Sequence, residues 1–196
     1  YVTITVGSID TSETVNIKFI NSDELLTESN ASIYAVADGD EYNVNTTFPT
    51  GAYTVTSADF TNNTVNGDYV ILGAYSGTNS NIIVPATMEV DGATKKVMVK
   101  SATFQKNTTI KYLQIDSAVV INQYGTINQT ATSSLNTMCS GCTSLIGFKY
   151  ESTVVDNISS AWSGCSKLKF VVGLDNYVKC ATMSTAFKDC AELEYI

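Results

Sequence analysis

The chain has 196 residues, 44% of them hydrophobic and only 15% charged, with a net charge of −8 and no histidine. The negative balance disfavours nucleic acid and anionic membrane surfaces, both of which attract basic faces. The absence of histidine removes His-dependent catalytic triads and zincin sites, and no run of about 18 apolar residues is present to span a bilayer.

From residue 1 to about 65, strand-like stretches at Val2 to Val6, Thr14 to Ile20, Ser32 to Ala37 and Tyr53 to Ser57 alternate with turn signals. The turns are Asn21-Ser22-Asp23, Asp38-Gly39-Asp40 and Pro49-Thr50-Gly51. Short strands at this spacing predict a small β-sandwich. The run NIKFINSDELLTESNASIYAV, followed by FPTGAYTVTSADF, resembles the prealbumin-like or Cna-B-like domains of bacterial surface proteins. In the resemblance, PTGAYTV (Pro49 to Val55) stands for the "P-x-G-x-Y-x-V" strand. Lys18 is the only lysine before residue 95, and no isopeptide crosslink is assigned to it. Asp38-Gly39-Asp40-Glu41 reads as an acidic turn, because it lacks the alternating ligands of a calcium loop. Tyr1 opens directly on strand-like sequence, so an exported protein is expected here in mature or trimmed form.

Thr61 to Asp68 (TNNTVNGD) is polar and aperiodic and reads as a linker or turn between domains. The expected division is therefore 1–65 for the sandwich and 66–196 for a second domain. Short apolar runs follow at Tyr69 to Gly77 and Ile82 to Pro85. In Met88 to Val99, Asp91-Gly92 separates two strand-like runs and predicts a hairpin.

The remainder repeats itself. KSATFQKNTTIKYL, LNTMCSGCTSLIGF, ISSAWSGCSKLKFV and MSTAFKDCAELEYI align on Asn107, Cys142, Cys165 and Cys190. Three residues before this anchor stand Phe104, Cys139, Trp162 and Phe187. Three after it stand Ile110, Leu145, Leu168 and Leu193, and six after it Leu113, Phe148, Val171 and Ile196. Four columns of apolar character predict stacked units that bury together what none can bury alone. The later units are 23 and 25 residues long (165 − 142 and 190 − 165), within the leucine-rich-repeat range. The first interval is 142 − 107 = 35, which places about ten extra residues in the polar region Asn122 to Thr132.

Tyr69 to Ile196 is similar to BspA-like leucine-rich repeat proteins. Tyr75, Gly77, Ile82, Val84 and Pro85 match that family's opening segment, and Asp91, Gly92, Lys96, Val97 and Val99 match its turn and strand. Ala102, Thr103 and Phe104 stand at its "A-F" position, followed by Asn107 for the Cys, then Ile110, Leu113 and Ile115. Met183-Ser184 and Ala186-Phe187 fit a variant of the same pattern, whereas Cys139 departs from the usual aromatic. The resemblance implies a mainly β fold: a leucine-rich solenoid with short helical turns behind the sandwich. The chain ends within the fourth copy's strand, and Ile196 is accordingly expected to close a fragment of a longer array.

All five cysteines lie at or after residue 139, and three are the repeat anchor. A regularly repeated Cys reads as a small buried residue rather than half of a disulfide framework. Cys139-Ser140-Gly141-Cys142 is a C-x-x-C, but a redox pair wants a helix N-terminus and a zinc site a second pair of its own. No G-x-S-x-G, no phosphate loop and no recurring carboxylate position suggest catalysis. The chain is expected to be no enzyme, with no catalytic residue, no metal site and no cofactor.

One candidate site emerges. If the +3 and +6 positions face inward, period-two alternation turns +5 and +7 outward. The +5 row is Tyr112, Gly147, Phe170 and Tyr195, and the +7 row is Gln114, Lys149 and Val172. An exposed aromatic stripe would suit a protein or glycan partner on host or neighbouring cells, although such rows also arise from cross-strand packing alone. The resemblance implies adhesion or recognition at an extracellular or cell-surface location. The alternatives are a glycan-binding accessory module of a secreted enzyme and a structural spacer.

Overall fold

Alternating apolar and β-branched residues pair into short strands, and the protein is mainly β. The computed structural model describes residues 46–122, 132–177 and 179–196, together with two short strands upstream. The chain divides into two units, Tyr1–Val44 and Asn45–Ile196. In the first, β1 (Ile20–Asn21) and β2 (Glu24–Leu25) pair antiparallel. The rest of the expected strands before residue 45, Lys18 and the acidic turn at 38–41 lie outside the described residues.

The second unit begins its pairing with β3 (Tyr53–Thr54), then β4 (Phe60–Thr61), β5 (Thr64–Asn66), β6 (Tyr69–Leu72), β7 (Ala74–Tyr75) and β8 (Asn81–Val84). The polar run at 61–68, expected as a linker, lies inside this unit: β5 and β6 form a hairpin with Asn66 opposite Tyr69. Gly67 turns it at φ +57°. β9 (Thr87–Val90) and β10 (Ala93–Lys100) form the expected hairpin, with Asp91 and Gly92 both left-handed at φ +51° and +76°. Two consecutive positive φ values are what a type I′ turn demands. There follow β11 (Tyr112–Ile115), β12 (Val120–Asn122), β13 (Ser133–Ser134), β14 (Gly147–Tyr150), β15 (Val155–Asn157) and β16 (Phe170–Val172).

One sheet runs β3-β8-β11-β14-β16 with every neighbouring pair parallel. Its register matches the repeat columns: Leu113 pairs with Ile82 and Phe148, and Phe148 with Val171. Further strands, β6, β10 and β12, pair parallel in a second sheet, with β5 on β6 and β9 on β10 antiparallel, and β13 pairs with β15 separately. The surplus residues of the long first interval fall between β12 and β13, and 123–131 lie outside the described residues. The strand Tyr53–Thr54, expected in the N-terminal sandwich, is thus part of the repeat sheet.

The core is built from the repeat columns. Phe104, Cys139 and Trp162 are fully buried, as are Ile110, Leu145 and Leu168, and Leu113, Phe148 and Val171. Trp162 stacks face-on against Phe187 and edge-on against Phe148, each at 5.1 Å between ring centroids. Two further columns are buried that the motif alignment does not bring out: Leu135 and Ile158 seven residues before the anchor, and Thr103, Met138, Ala161 and Ala186 four before it.

The connecting arcs are chains of β-turns, not the short helical turns expected. Single 3-10 turns at Ser57–Asp59 and Leu174–Asn176 are the only helical segments among the described residues. Within an arc, alternate N–H groups bond three residues back: Met138 to Leu135, Ser140 to Thr137 and Cys142 to Cys139. The N–H groups between them donate onward to the next unit: Thr137 to Ser159, Cys139 to Ala161 and Gly141 to Ser163. The same three bonds recur one unit later, from Ser160 to Ser184, Trp162 to Ala186 and Gly164 to Lys188. This alternation requires left-handed residues one and five before the anchor. Gly141 and Gly164 meet the first requirement, whereas Lys106 and Asp189 adopt φ near +60° without glycine's freedom. Thr137, Ser160 and Thr185 meet the second.

All five thiols are free. Each anchor thiol donates backward to the carbonyl three residues before the previous anchor. Cys142 Sγ reaches Phe104 O at 2.9 Å, Cys165 Sγ reaches Cys139 O at 2.9 Å, and Cys190 Sγ reaches Trp162 O at 3.1 Å. Those carbonyls already accept a backbone N–H, so the thiol adds a second, weak bond. The anchor is a small side chain with a donor, in a place where volume is scarce. Cys165→Ala is expected to cost about 1 kcal/mol or less, and Cys165→Leu about 1–3 kcal/mol through overpacking. Thermal melts of the three proteins check this, and a Cys165→Leu melt equal to wild type would refute the packing role.

A buried hydroxyl network closes the seam at the long interval. Tyr150 Oη donates to Val119 O at 2.7 Å and lies 2.9 Å from Ser133 Oγ, which accepts the Ile121 N–H. Tyr177 Oη donates to Tyr150 O at 2.8 Å. Burial pushes the Tyr150 and Tyr177 phenols up, and burial with the nearby Asp59 carboxylate pushes Tyr75 up to about 12. Burial raises the Cys139 thiol as well. Folded pKa values above the unfolded ones mean stability that is complete at low pH and lost as pH rises. The denaturation midpoint should therefore hold to about pH 9, then fall as unfolded-state phenols (about 10) ionise. Tyrosinate absorbance should show a fraction of phenols ionising only with loss of the fold. A midpoint unchanged to about pH 11 contradicts it.

Candidate functional site

The parallel sheet places all six candidate residues on one face. The +5 row runs Asn81, Tyr112, Gly147, Phe170 and Tyr195, each paired with the next across neighbouring strands. The +7 row runs Ile83, Gln114, Lys149 and Val172 in the same way. Alternation along each strand explains the division, since Leu113 and Ile115 of β11 are buried while Tyr112 and Gln114 are half-buried. Lys149 and Val172 are also half-buried, and Tyr195 is 47% exposed. Lys149 Nζ pairs with Glu151 Oε2 at 2.7 Å in water, a contact of little energetic weight.

Phe170 departs from expectation: it is buried, with 3% exposure. Two features bury it. Gly147 beside it leaves a vacancy that the ring fills, and a Cβ built on Gly147 would lie 2.4 Å from Phe170 Cζ. From above, Phe48 packs edge-on against Phe170 at 5.2 Å and against Tyr112 at 6.0 Å. Tyr112 and Phe170 themselves lie 6.5 Å apart. The stripe is therefore partly an internal aromatic cluster, roofed by a residue from before β3. Asn81 Nδ2 holds that roof by donating to Pro49 O at 3.1 Å.

Phe48 and Asn81 were not among the candidates. Asn81 was legible, since continuing the +5 row into the strand at 82–85 reaches it. Phe48 was not, because PTGAYTV was assigned to a separate sandwich. The Cys139/Cys142 pair is walled into the core, and among the described residues no group of three Cys, Asp or Glu is placed to hold a metal. No helix among the described residues is long and apolar enough to cross a membrane.

No family model matches the chain, and no curated protein matches it. Among solved structures, a leucine-rich repeat protein from T. pallidum is similar at 19% identity and a TM-score of 0.49, over 72% of this chain and 69% of that one.

The vacancy at Gly147 can be tested against a backbone constraint elsewhere. Gly147→Ala should cost about 1–2 kcal/mol, because the Phe170 ring can swing aside. Gly173→Ala should cost more, since Gly173 holds φ +104° and its Cβ would lie 2.4 Å from Tyr150 O. Chemical denaturation of both variants checks the order, and equal losses would mean that Phe170 cannot yield.

Proposed function

We propose that residues 66–196 form a BspA-like leucine-rich solenoid that serves as a non-enzymatic recognition module, displayed outside the cell and binding macromolecules of host or neighbouring cells. The observation that carries this is the in-register parallel sheet. Four units stack their +5 residues and three their +7 residues into two rows, which is a surface for an extended partner rather than a cleft for a small substrate. Half-buried Tyr112 and exposed Tyr195 offer aromatic area with hydroxyl tips, which favours interfaces. A protein partner is the first expectation, and a glycan the alternative.

The test is surface plasmon resonance of the whole chain against purified extracellular-matrix proteins, run beside a glycan array. A protein ligand is expected whose affinity falls about tenfold or more in Tyr112→Ala plus Tyr195→Ala, measured below a melting temperature that the lost Tyr112 packing lowers but that leaves the variant folded. Hits confined to glycans would favour the accessory-module alternative. Protein binding that the double variant leaves untouched would remove this face from consideration.

A further inference from the structure

Residues 46–49 lie over the +5 row as a ligand would. They have no strand pairing of their own. Phe48 places its ring on the Tyr112–Phe170 pair, and the carbonyl of the next residue, Pro49, takes the Asn81 amide. An aromatic anchor plus one backbone bond is how an extended peptide docks on a sheet face.

The fit is incomplete at one atom. Asn81 Oδ1 is buried and has no hydrogen-bond partner among the described residues. An asparagine side chain can grip one residue of an extended chain twice, giving its N–H to the carbonyl and taking the amide N–H. Here the gripped residue is proline, which accepts but has no N–H to return. The cis segment therefore leaves a buried acceptor unsatisfied, at a cost that a different occupant would avoid.

We propose that this row is a docking groove for an extended protein segment bearing an aromatic residue followed by a non-proline residue, and that Thr46–Pro49 occupies it in cis as a weaker stand-in. This rests on the protein-recognition reading above and names its partner's chemistry. The aromatic sits between Tyr112 and Phe170, and the following residue pairs with both ends of the Asn81 amide. The proline makes this self-contact weaker than the same contact by a non-proline residue. Without the cis segment, the Phe170 ring lying over Gly147 becomes the exposed floor of the groove, beside Tyr112.

The test uses the full chain and two peptides, Thr-Thr-Phe-Pro-Thr-Gly and its Pro49→Ala analogue, titrated by NMR at up to millimolar concentration. Wild type is expected to bind both at least tenfold more weakly than Phe48→Ala, which opens the seat of the aromatic on Tyr112 and Phe170. On Phe48→Ala, the alanine peptide should bind about tenfold more tightly than the proline peptide, as a rescued buried acceptor warrants. Adding Asn81→Ala should abolish that preference while leaving binding of the aromatic. Circular dichroism and a melt establish that each variant is folded. Folded Phe48→Ala that binds neither peptide overturns the proposal, as do equal affinities for the two peptides or shifts mapping away from β8, β11, β14 and β16. Glycan binding by Phe48→Ala with no peptide binding also overturns it. Should a misfolded Phe48→Ala prevent the measurement, Phe48→Leu is read in its place by the same criteria. Because this assay needs no natural partner, its failure leaves the wider recognition reading to the matrix-protein screen.

Discussion

The repeat region depends on one device: every second N–H of a connecting arc is aimed at the next unit. A chain of β-turns would ordinarily satisfy only itself. Left-handed residues one and five before the anchor rotate the intervening peptides outward, so the arcs anchored at Cys142 and Cys165 each hand three backbone bonds to their successors. Holding Thr137, Ser160 and Thr185 in that region costs of order 1 kcal/mol each, which the cross-unit bonds offset. Because the bonds recur at the same positions, neighbouring units are locked in register, and the strand rows follow.

The anchor thiols belong to the same device. Each returns a bond to the unit behind it while the arc's N–H groups bond the unit ahead. Where the spacing is longest, between β12 and β13, Ser133, Tyr150 and Val119 O add a further joint. This hydroxyl network adds side-chain bonds to the backbone pairing of β11 with β14 across the same interval, and it leaves the Tyr150 hydroxyl buried and neutral.

The columns at the anchor and at −3, +3 and +6 could be read in the sequence because stacking forces like residues to recur at fixed spacing. The −4 and −7 columns stayed hidden, since Thr103, Met138 and Ala161 share neither size nor chemistry. The Asp91-Gly92 hairpin was legible because its two left-handed positions demand those residues. The helical character expected for the arcs failed for the same kind of reason in reverse: Thr137 and Ser160 do not advertise a positive φ. On the candidate face, alternation correctly placed the rows but could not say which members would be covered. Burial of Phe170 depends on Phe48, which is distant in sequence and enters from a segment that resembled part of another domain.

Gly147 and Phe170 share a single volume: one is absent so that the other can lie flat. Neither position is therefore free to vary alone. A side chain at 147 evicts the ring, and a smaller residue at 170 leaves a void beneath Phe48. Among relatives of this chain, the two sites should change together, with a larger residue at one met by a smaller residue at the other. The aromatic stripe is thus inherited as a pair of adjacent strands, and its composition records a trade in space as much as any preference for a partner.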